Sequence, residues 1–183
     1  MKVILERAAL SDVEAIAALR VAAAAKLTKD FGKGPWSSAG TIKGVLYSMR
    51  HSNVFVCRRR GKIVGVLELG IKKPWAIDKS YFSASNRPLY LTGMAVIPEQ
   101  QRSGIGRAML EAAVKLARAW PADAIRLDAY DAAAGAGEFY ARCGFCERGR
   151  ISYRNAPLIY YELLLSNGSV DSRLAALKGQ KRQ

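Results

Sequence analysis

Apolar and polar positions change period several times along the chain, and each change marks an element. Val3 to Arg7 predicts a short first strand. Ser11-Asp12-Val13-Glu14 has the form of a capping box, in which the Ser11 hydroxyl accepts from the Glu14 amide and Glu14 reaches back. A helix follows from about Asp12 to Leu27; alanine on every face blurs its apolar stripe. Gly32, Gly34 and Pro35 break Lys29 to Ser38 into a loop, and Ala39 to Met49 predicts a second helix weakened by Gly40 and Gly44. Asn53 to Arg59 and Lys62 to Gly70, rich in Val and Ile, read as two strands around a tight turn at Arg60-Gly61. Lys72 to Arg87 is a long loop, a kind of segment that is often functional in compact domains. A strand over Leu89 to Val96 ends at Pro98, and a helix over Gly104 to Ala119 stops at Pro121. Ala124 to Tyr130 is a strand and Gly135 to Arg142 a short helix, which Gly144 can end in a left-handed conformation. Phe145 to Tyr153 and Leu158 to Leu165 are the last strands.

Strands that alternate partly with helices give an α/β or α+β class with a mixed sheet. Half the residues are hydrophobic, enough for a core. The expected division is one domain over 1–165 and a basic C-terminal tail over 166–183, where Arg173, Lys178, Lys181 and Arg182 stand against Asp171. Twenty-nine Lys and Arg against fifteen Asp and Glu leave a formal +14, which favours anionic partners. The chain has no aromatic-basic repeat or helix-turn-helix signature, so nucleic acid is not the expected partner. Cys57, Cys143 and Cys146 are too few for a disulfide framework, and the CxxC lacks a second ligand pair, so no metal is expected. Charge interrupts the first apolar run at once, and the Ala15–Ala25 window is too short to span a bilayer. The expected location is therefore cytoplasmic, with no membrane partner.

The strongest local signal lies between Val96 and Ala108. A strand ends, the chain turns through Gln101, Arg102 and Ser103, and a helix begins near Gly104. The first amides of a helix have no internal partner and sit at the positive end of its dipole, so they favour an anion. Gly104 and Gly106 let a ligand approach the backbone, and Arg102 and Arg107 add charge. A Walker loop would need Gly-Lys-Ser/Thr, and a dinucleotide fingerprint would need glycine where Met109 stands.

The segment Met94 to Leu110 resembles the acetyl-CoA motif of the GCN5-related N-acetyltransferases, Gln/Arg-x-x-Gly-x-Gly/Ala, here Gln101, Gly104 and Gly106. Phe139-Tyr140-Ala141-Arg142-Cys143-Gly144-Phe145 resembles the family's second signature, a tyrosine shortly before Gly-Phe. The resemblance implies a mixed, mostly antiparallel sheet of seven strands flanked by helices, splayed between the fourth and fifth strands. It implies acetyl-CoA as acyl donor, with pantetheine in the splay beside Met94, Ala95 and Val96. The pyrophosphate would lie on the amides from Arg102 to Arg107, including Ile105. It implies a small-molecule or peptide amine as acceptor and leaves room for a homodimer.

Acetyl transfer to an amine needs a base for the amine, donors for the oxyanion and an acid for the thiolate. The resemblance puts the Tyr140 hydroxyl near the cofactor sulfur as the acid. The family's strand-four glutamate has no counterpart in Tyr90 to Val96, which leaves Glu68 as the first candidate base, acting through a water, and Asp128 and Asp131 behind it. The family's Asn after the fifth strand is also missing from Asp131 to Gly137. Two other readings stay open: a CoA-binding regulatory module without turnover, and a basic nucleic-acid-associated protein. Acceptor recognition is expected from the first two helices and the Lys72–Arg87 loop, with Trp36, Trp75, Tyr81 and Phe82 open to two readings, pocket lining or ordinary packing.

Overall fold

The computed structural model describes residues 3–38 and 40–165, so the basic tail over 166–183 lies outside the described residues. Its strands are β1 (Leu5–Arg7), β2 (Asn53–Arg59), β3 (Lys62–Gly70), β4 (Pro88–Val96), β5 (Ala124–Tyr130), β6 (Cys146–Tyr153) and β7 (Ala156–Leu164). Its helices are α1 (Val13–Phe31), α2 (Ile42–His51), α3 (Ile105–Ala119) and α4 (Gly137–Arg142). The strands form one sheet in the order β1-β2-β3-β4-β5-β7-β6, antiparallel throughout except for β4 and β5.

Alternation along the strands sends apolar residues to two faces, and a helix pair covers each. On one face Ile105 and Met109 of α3 pack with Leu67, Leu69, Leu91 and Leu127. On the other, Ile16 and Leu19 of α1 and Val45 of α2 pack with Val54, Val56 and Val66. Full burial of each such side chain contributes about 1.5–3 kcal/mol. The β2–β3 and β6–β7 turns, at Arg60-Gly61 and Arg154-Asn155, have both central residues at positive φ. That geometry matches the twist of the strands it joins.

The parallel pair is short. Pro88, Leu89 and Tyr90 of β4 pair with Ala124, Ile125 and Arg126 of β5, and beyond them the strands share no pairing. Past that point each strand follows its other neighbour. β5 stays paired with β7 as far as Tyr130–Leu158. β4 stays with β3 but bulges: Thr92 faces Glu68 and Ala95 faces Val66, so Gly93 and Met94 share one partner position. Gly93 takes φ 56, a value glycine adopts without cost. The bulge increases local twist and turns the end of β4 away from β5. The sheet is therefore splayed between its fourth and fifth strands.

Several helix boundaries differ from the sequence expectation. The Ser11–Glu14 box does not form; Asp12 instead accepts from the Ala9 amide at 2.9 Å and is held by Arg58. Helix α1 runs on to Phe31, where an i,i+4 ion pair of Lys26 with Asp30 supports its last turns. Helix α2 starts at Ile42, because the Thr41 side chain caps it by accepting from the Gly44 amide at 3.1 Å.

The long segment between β3 and β4 is pinned across the α1/α2 face of the sheet. Ile77 and Phe82 bury against Tyr90 and Tyr160. The Tyr160 hydroxyl donates to the Ala76 carbonyl and accepts from the Asp78 amide. Asp123 accepts from the Ser85 hydroxyl and from the Asn86 and Arg87 amides. Beneath it lies an ion triad: Glu162, 1 % exposed, pairs with Arg126 and with Arg148, each at 2.9 Å. The Ser83 amide also donates to Glu162, and Arg126 donates to the Ser83 carbonyl.

Removing Glu162 would strand two cations, one of them buried. Glu162→Ala is therefore expected to cost about 3–5 kcal/mol of stability, measured by urea unfolding. Burial alone would raise the Glu162 pKa, but hydrogen bonds from Arg126 and Ser83 outweigh it and hold the group below its ordinary value. The Arg58 hydrogen bond likewise holds Asp12 low. Depressed carboxylates stabilise the fold above their unfolded values, about 4, and lose that contribution as pH falls through the lower folded values. Stability should thus fall below about pH 4, with a shallower fall in Glu162→Ala.

Candidate active site

The splay opens a cleft of about 480 Å³ that reaches both faces of the sheet. Thr92, Gly93, Met94 and Ala95 of β4 form one wall, and Asp128 and Tyr130 of β5 form the other. Tyr140 of α4 lies at the α3/α4 side, and Arg20, Ala24 and Trp36 close the α1/α2 side. Because the strands part after Tyr90 and Arg126, their facing edges carry main-chain N–H and C=O groups with no partner strand.

The turn from β4 into α3 sits at the end of the same strand. Gly104 caps α3 with φ 86, which favours glycine, and Arg102 also takes positive φ, at 57. Ser103 donates to the Gln100 carbonyl at 2.6 Å, and the Gln101 side chain donates to the Val96 carbonyl at 3.0 Å. The first helical bond across the cap runs from the Ala108 amide to Gly104. The amides from Arg102 to Arg107 find no acceptor among the described residues. A Cβ on Gly106 would come within 3.2 Å of Phe139, so this glycine lets α3 pack against α4. Arg107 is committed to the Arg142 carbonyl at the end of α4, at 2.9 Å, whereas Arg102 is exposed.

Tyr140, 8 % exposed, packs against Phe139, Phe145 and Tyr161, and its hydroxyl reaches the Met94 sulfur at 3.9 Å. Burial and the nearby Asp128 charge raise its pKa well above the ordinary phenol value. It therefore stays a neutral donor throughout the physiological range. Asp128 makes no ion pair or hydrogen bond to another residue's side chain among the described residues, and burial raises its pKa above the usual carboxylate value against the smaller opposing pull of its own amide.

The other two carboxylates named from sequence are differently placed. Glu68 is 7 % exposed and ion-paired to Arg20 at 2.5 Å, with Thr92 at 3.4 Å from its second oxygen. Arg20 lines the cleft, while Glu68 stands behind it. Asp131 pairs with Arg150 at 2.9 Å and is not part of the cleft wall. Of the four aromatics, Trp36 lines the cleft and meets Tyr130 edge-on, with ring centroids 5.9 Å apart. Trp75 lines a neighbouring depression. Tyr81 and Phe82 stack on Tyr160 and belong to the packing of the β3–β4 segment.

Sequence reasoning did not single out Arg20 or Gly93, and they meet here: a Cβ on Gly93 would fall 2.8 Å from both Arg20 and Glu68. The available signal was one arginine in the otherwise apolar, alanine-rich window Ala15–Ala25 of α1.

Comparison with known proteins agrees with this geometry. Residues 21–145 match the family model described as acetyltransferase (GNAT) family. The fold is similar to that of the ribosomal-protein-S18-alanine N-acetyltransferase from Escherichia coli: 17 % identity, TM-score 0.68, 92 % of this chain and 97 % of that one. It is similar to a GCN5-related N-acetyltransferase from Rhodopseudomonas palustris: 21 % identity, TM-score 0.67, 90 % and 97 %. It is also similar to an aminoglycoside 6′-acetyltransferase of type Ii: 14 % identity, TM-score 0.65, 88 % and 97 %. A search of curated proteins finds no match. Identities this low speak to the fold alone, but the family match spans more than half of the sequence and includes both motif segments. The chain belongs to the GNAT acetyltransferase family.

Proposed function

We propose that this protein transfers an acetyl group from acetyl-CoA to a primary amine by direct attack in the splay. The observation that carries the reading is the row of unclaimed amides from Arg102 to Arg107 at the start of α3. It lies on the same strand-to-helix connection as the open edge of β4. A diphosphate is the ligand such a helix start favours. Amide groups of a pantetheine arm suit the unpaired edge, as an added strand would. Arg102 would supply charge to the phosphates, with Gln101, Ser103, Gly104, Ile105, Gly106 and Arg107 shaping the loop. Met94, Ala95 and Val96 would flank the arm.

In the chemical step the amine nitrogen bonds to the thioester carbon, the oxyanion collapses and the C–S bond breaks. Tyr140 lines the cleft, and its neutral phenol can donate its proton to the departing thiolate and take back the second proton that the acylated nitrogen sheds. The base must be unencumbered, and this favours Asp128 over the sequence candidate Glu68. Glu68 is neutralised by Arg20, whereas Asp128 has no cationic partner and a raised pKa. A raised pKa makes a carboxylate a stronger base for an ammonium group.

The assay is thiol release from acetyl-CoA with a panel of primary amines. Turnover with at least one amine is the expected result; CoA-dependent thermal stabilisation with no thiol released would leave only a binding module. Gly104→Val should raise the KM for acetyl-CoA more than tenfold, because a β-branched residue resists the left-handed cap. Tyr140→Phe should lower kcat about 10²-fold or more at nearly unchanged KM for acetyl-CoA; an unaltered kcat would remove Tyr140 from the mechanism.

Asp128→Asn separates chemistry from folding. A carboxylate with a raised folded pKa contributes stability below its unfolded pKa and loses it as pH rises through the folded value. Asp128→Asn should therefore keep or raise the melting temperature at neutral pH while kcat falls at least 10²-fold. The wild-type acid limb of kcat/KM should lie above the ordinary carboxylate range and disappear in the variant. A variant that keeps both kcat and that limb would return the role of base to another group.

A further inference from the structure

A second, smaller depression of about 180 Å³ adjoins the active-site cleft on the α1/α2 face. The Arg20–Glu68 ion pair forms the partition between them, with Arg20 lining the first and Glu68 the second. The rim of the second depression brings together two segments distant in sequence. From α2 come Tyr47 and His51, whose rings stack with centroids 4.1 Å apart and planes at 25°. His51 Nδ1 lies 2.9 Å from the Tyr47 carbonyl, which fixes the pair. From the segment after β3 come Lys72, Lys73 and Trp75. Trp75 is 85 % exposed and Tyr47 58 % exposed, so neither ring gives much to the core. Both leave aromatic surface open to a flat partner.

The charge around these rings has one sign. Lys43, Tyr47, Arg50 and His51 fall on one face of α2, and all are exposed. None of Lys43, Arg50, Lys72 and Lys73 is ion-paired among the described residues. Between Asp30 and Glu99 the sequence has only Glu68 and Asp78 to oppose them. Glu68 is buried and balanced by Arg20, and Asp78 is taken up by the Ser80 amide and hydroxyl at 2.9 and 2.8 Å. A second copy of this chain, formally +14, would set like charge against like. Cations beside open rings match phosphates and bases, and an open ring can take a base only from a strand whose bases are not already paired and stacked. Ser48 and Ser52 line the same depression, and their hydroxyls bond no other group among the described residues. Such hydroxyls suit a ribose 2′-OH, which DNA lacks.

We propose that this face binds single-stranded RNA, with bases stacking on Trp75 and Tyr47 and the backbone running past Lys72, Lys43 and Arg50. The proposal stands independently of the acetyl-transfer reading. It also reverses the expectation drawn from the sequence. No aromatic-basic repeat runs along the chain, because the rings and their cations sit on α2 and on the segment after β3 and meet only in the folded protein.

The experiment measures fluorescence anisotropy of a labelled oligouridylate of about twelve nucleotides with the full chain at low salt. Unlabelled oligodeoxyuridylate and polyglutamate of the same length serve as competitors. Trp75→Ala and Tyr47→Ala remove exposed rings and should melt with wild type. Each should weaken RNA binding at least fivefold, the lower end of what one stacked base is worth. Lys72→Ala should flatten the slope of log K against log salt by about 0.7, one phosphate contact on a single strand. Lys62→Ala, at the far end of β3, should change affinity less than about twofold. The deoxy strand should compete at least threefold less well than the RNA, and polyglutamate at least tenfold less well. Absence of binding overturns the proposal. So does binding that Trp75→Ala and Tyr47→Ala leave intact, which would be general attraction to a basic chain. Equal competition by polyglutamate would make this a surface for an acidic protein, and equal competition by the deoxy strand would remove RNA as the partner; either result overturns the proposal.

Discussion

Three residue pairs hold the two halves of the sheet together. Pro88–Ala124, Leu89–Ile125 and Tyr90–Arg126 are the only register between β4 and β5. Had the pairing continued, the sheet would be closed and the cleft absent. It stops because each strand is more strongly committed elsewhere: β5 to β7 over its whole length, and β4 to β3 around the bulge at Gly93. The exposed main-chain edges left by this arrangement would be a liability on an outer strand. Inside a cleft they are the main-chain groups that the proposed reading pairs with a ligand carrying amides of its own. Tyr140 lines that gap, and the helix start at Gly104 follows the end of the same strand β4.

The split also needs support from outside, because three pairs cannot fix the relative position of two half-sheets. The segment between β3 and β4 supplies it. Its Ser83 is tied to Glu162 and Arg126, and its end to Asp123, so residues leaving β3 are bonded to β5 and β7 across the seam. A buried triad is weak evidence for net stability, since desolvation opposes the attraction. Its value here is geometric: it binds a loop and two strands in one arrangement. This explains why Tyr81 and Phe82, which looked like candidate substrate contacts, serve as packing instead. The loop is long because it has to bridge the seam, and its aromatics are its anchors.

The sequence displayed the elements well where one period dominated. Val- and Ile-rich runs gave β2 and β3 to the residue, β5 also matched its expected bounds, and Gly104 gave the start of α3 within one position. Helix α1 was harder, because an alanine-rich stretch presents no clear apolar stripe and its last turns depend on an ion pair between Lys26 and Asp30. The splay was legible only through the resemblance, since a strand's choice between two neighbours is a tertiary matter. The turn from β4 into α3 was legible from local chemistry, being a contiguous segment. The carboxylates were not: Glu68, Asp128 and Asp131 differ in whether a cation stands beside them. Those cations, Arg20 for Glu68 and Arg150 for Asp131, come from distant parts of the chain.

Charge pairing thus sorts the acids by what they can do. Glu68 and Arg20 neutralise each other where α1 crosses β3, and Gly93 is the residue small enough to let them meet beside β4. The pair is closed on itself by the Arg20–Glu68 contact, and Glu68 stands behind the cleft wall. It can hold a boundary, and it does so between the two depressions. Asp128 has the reverse character. It has burial without a partner, which raises its pKa and weakens the fold at neutral pH. In the proposed reaction that is the character of a base, set across the cleft from a phenol that stays protonated at neutral pH.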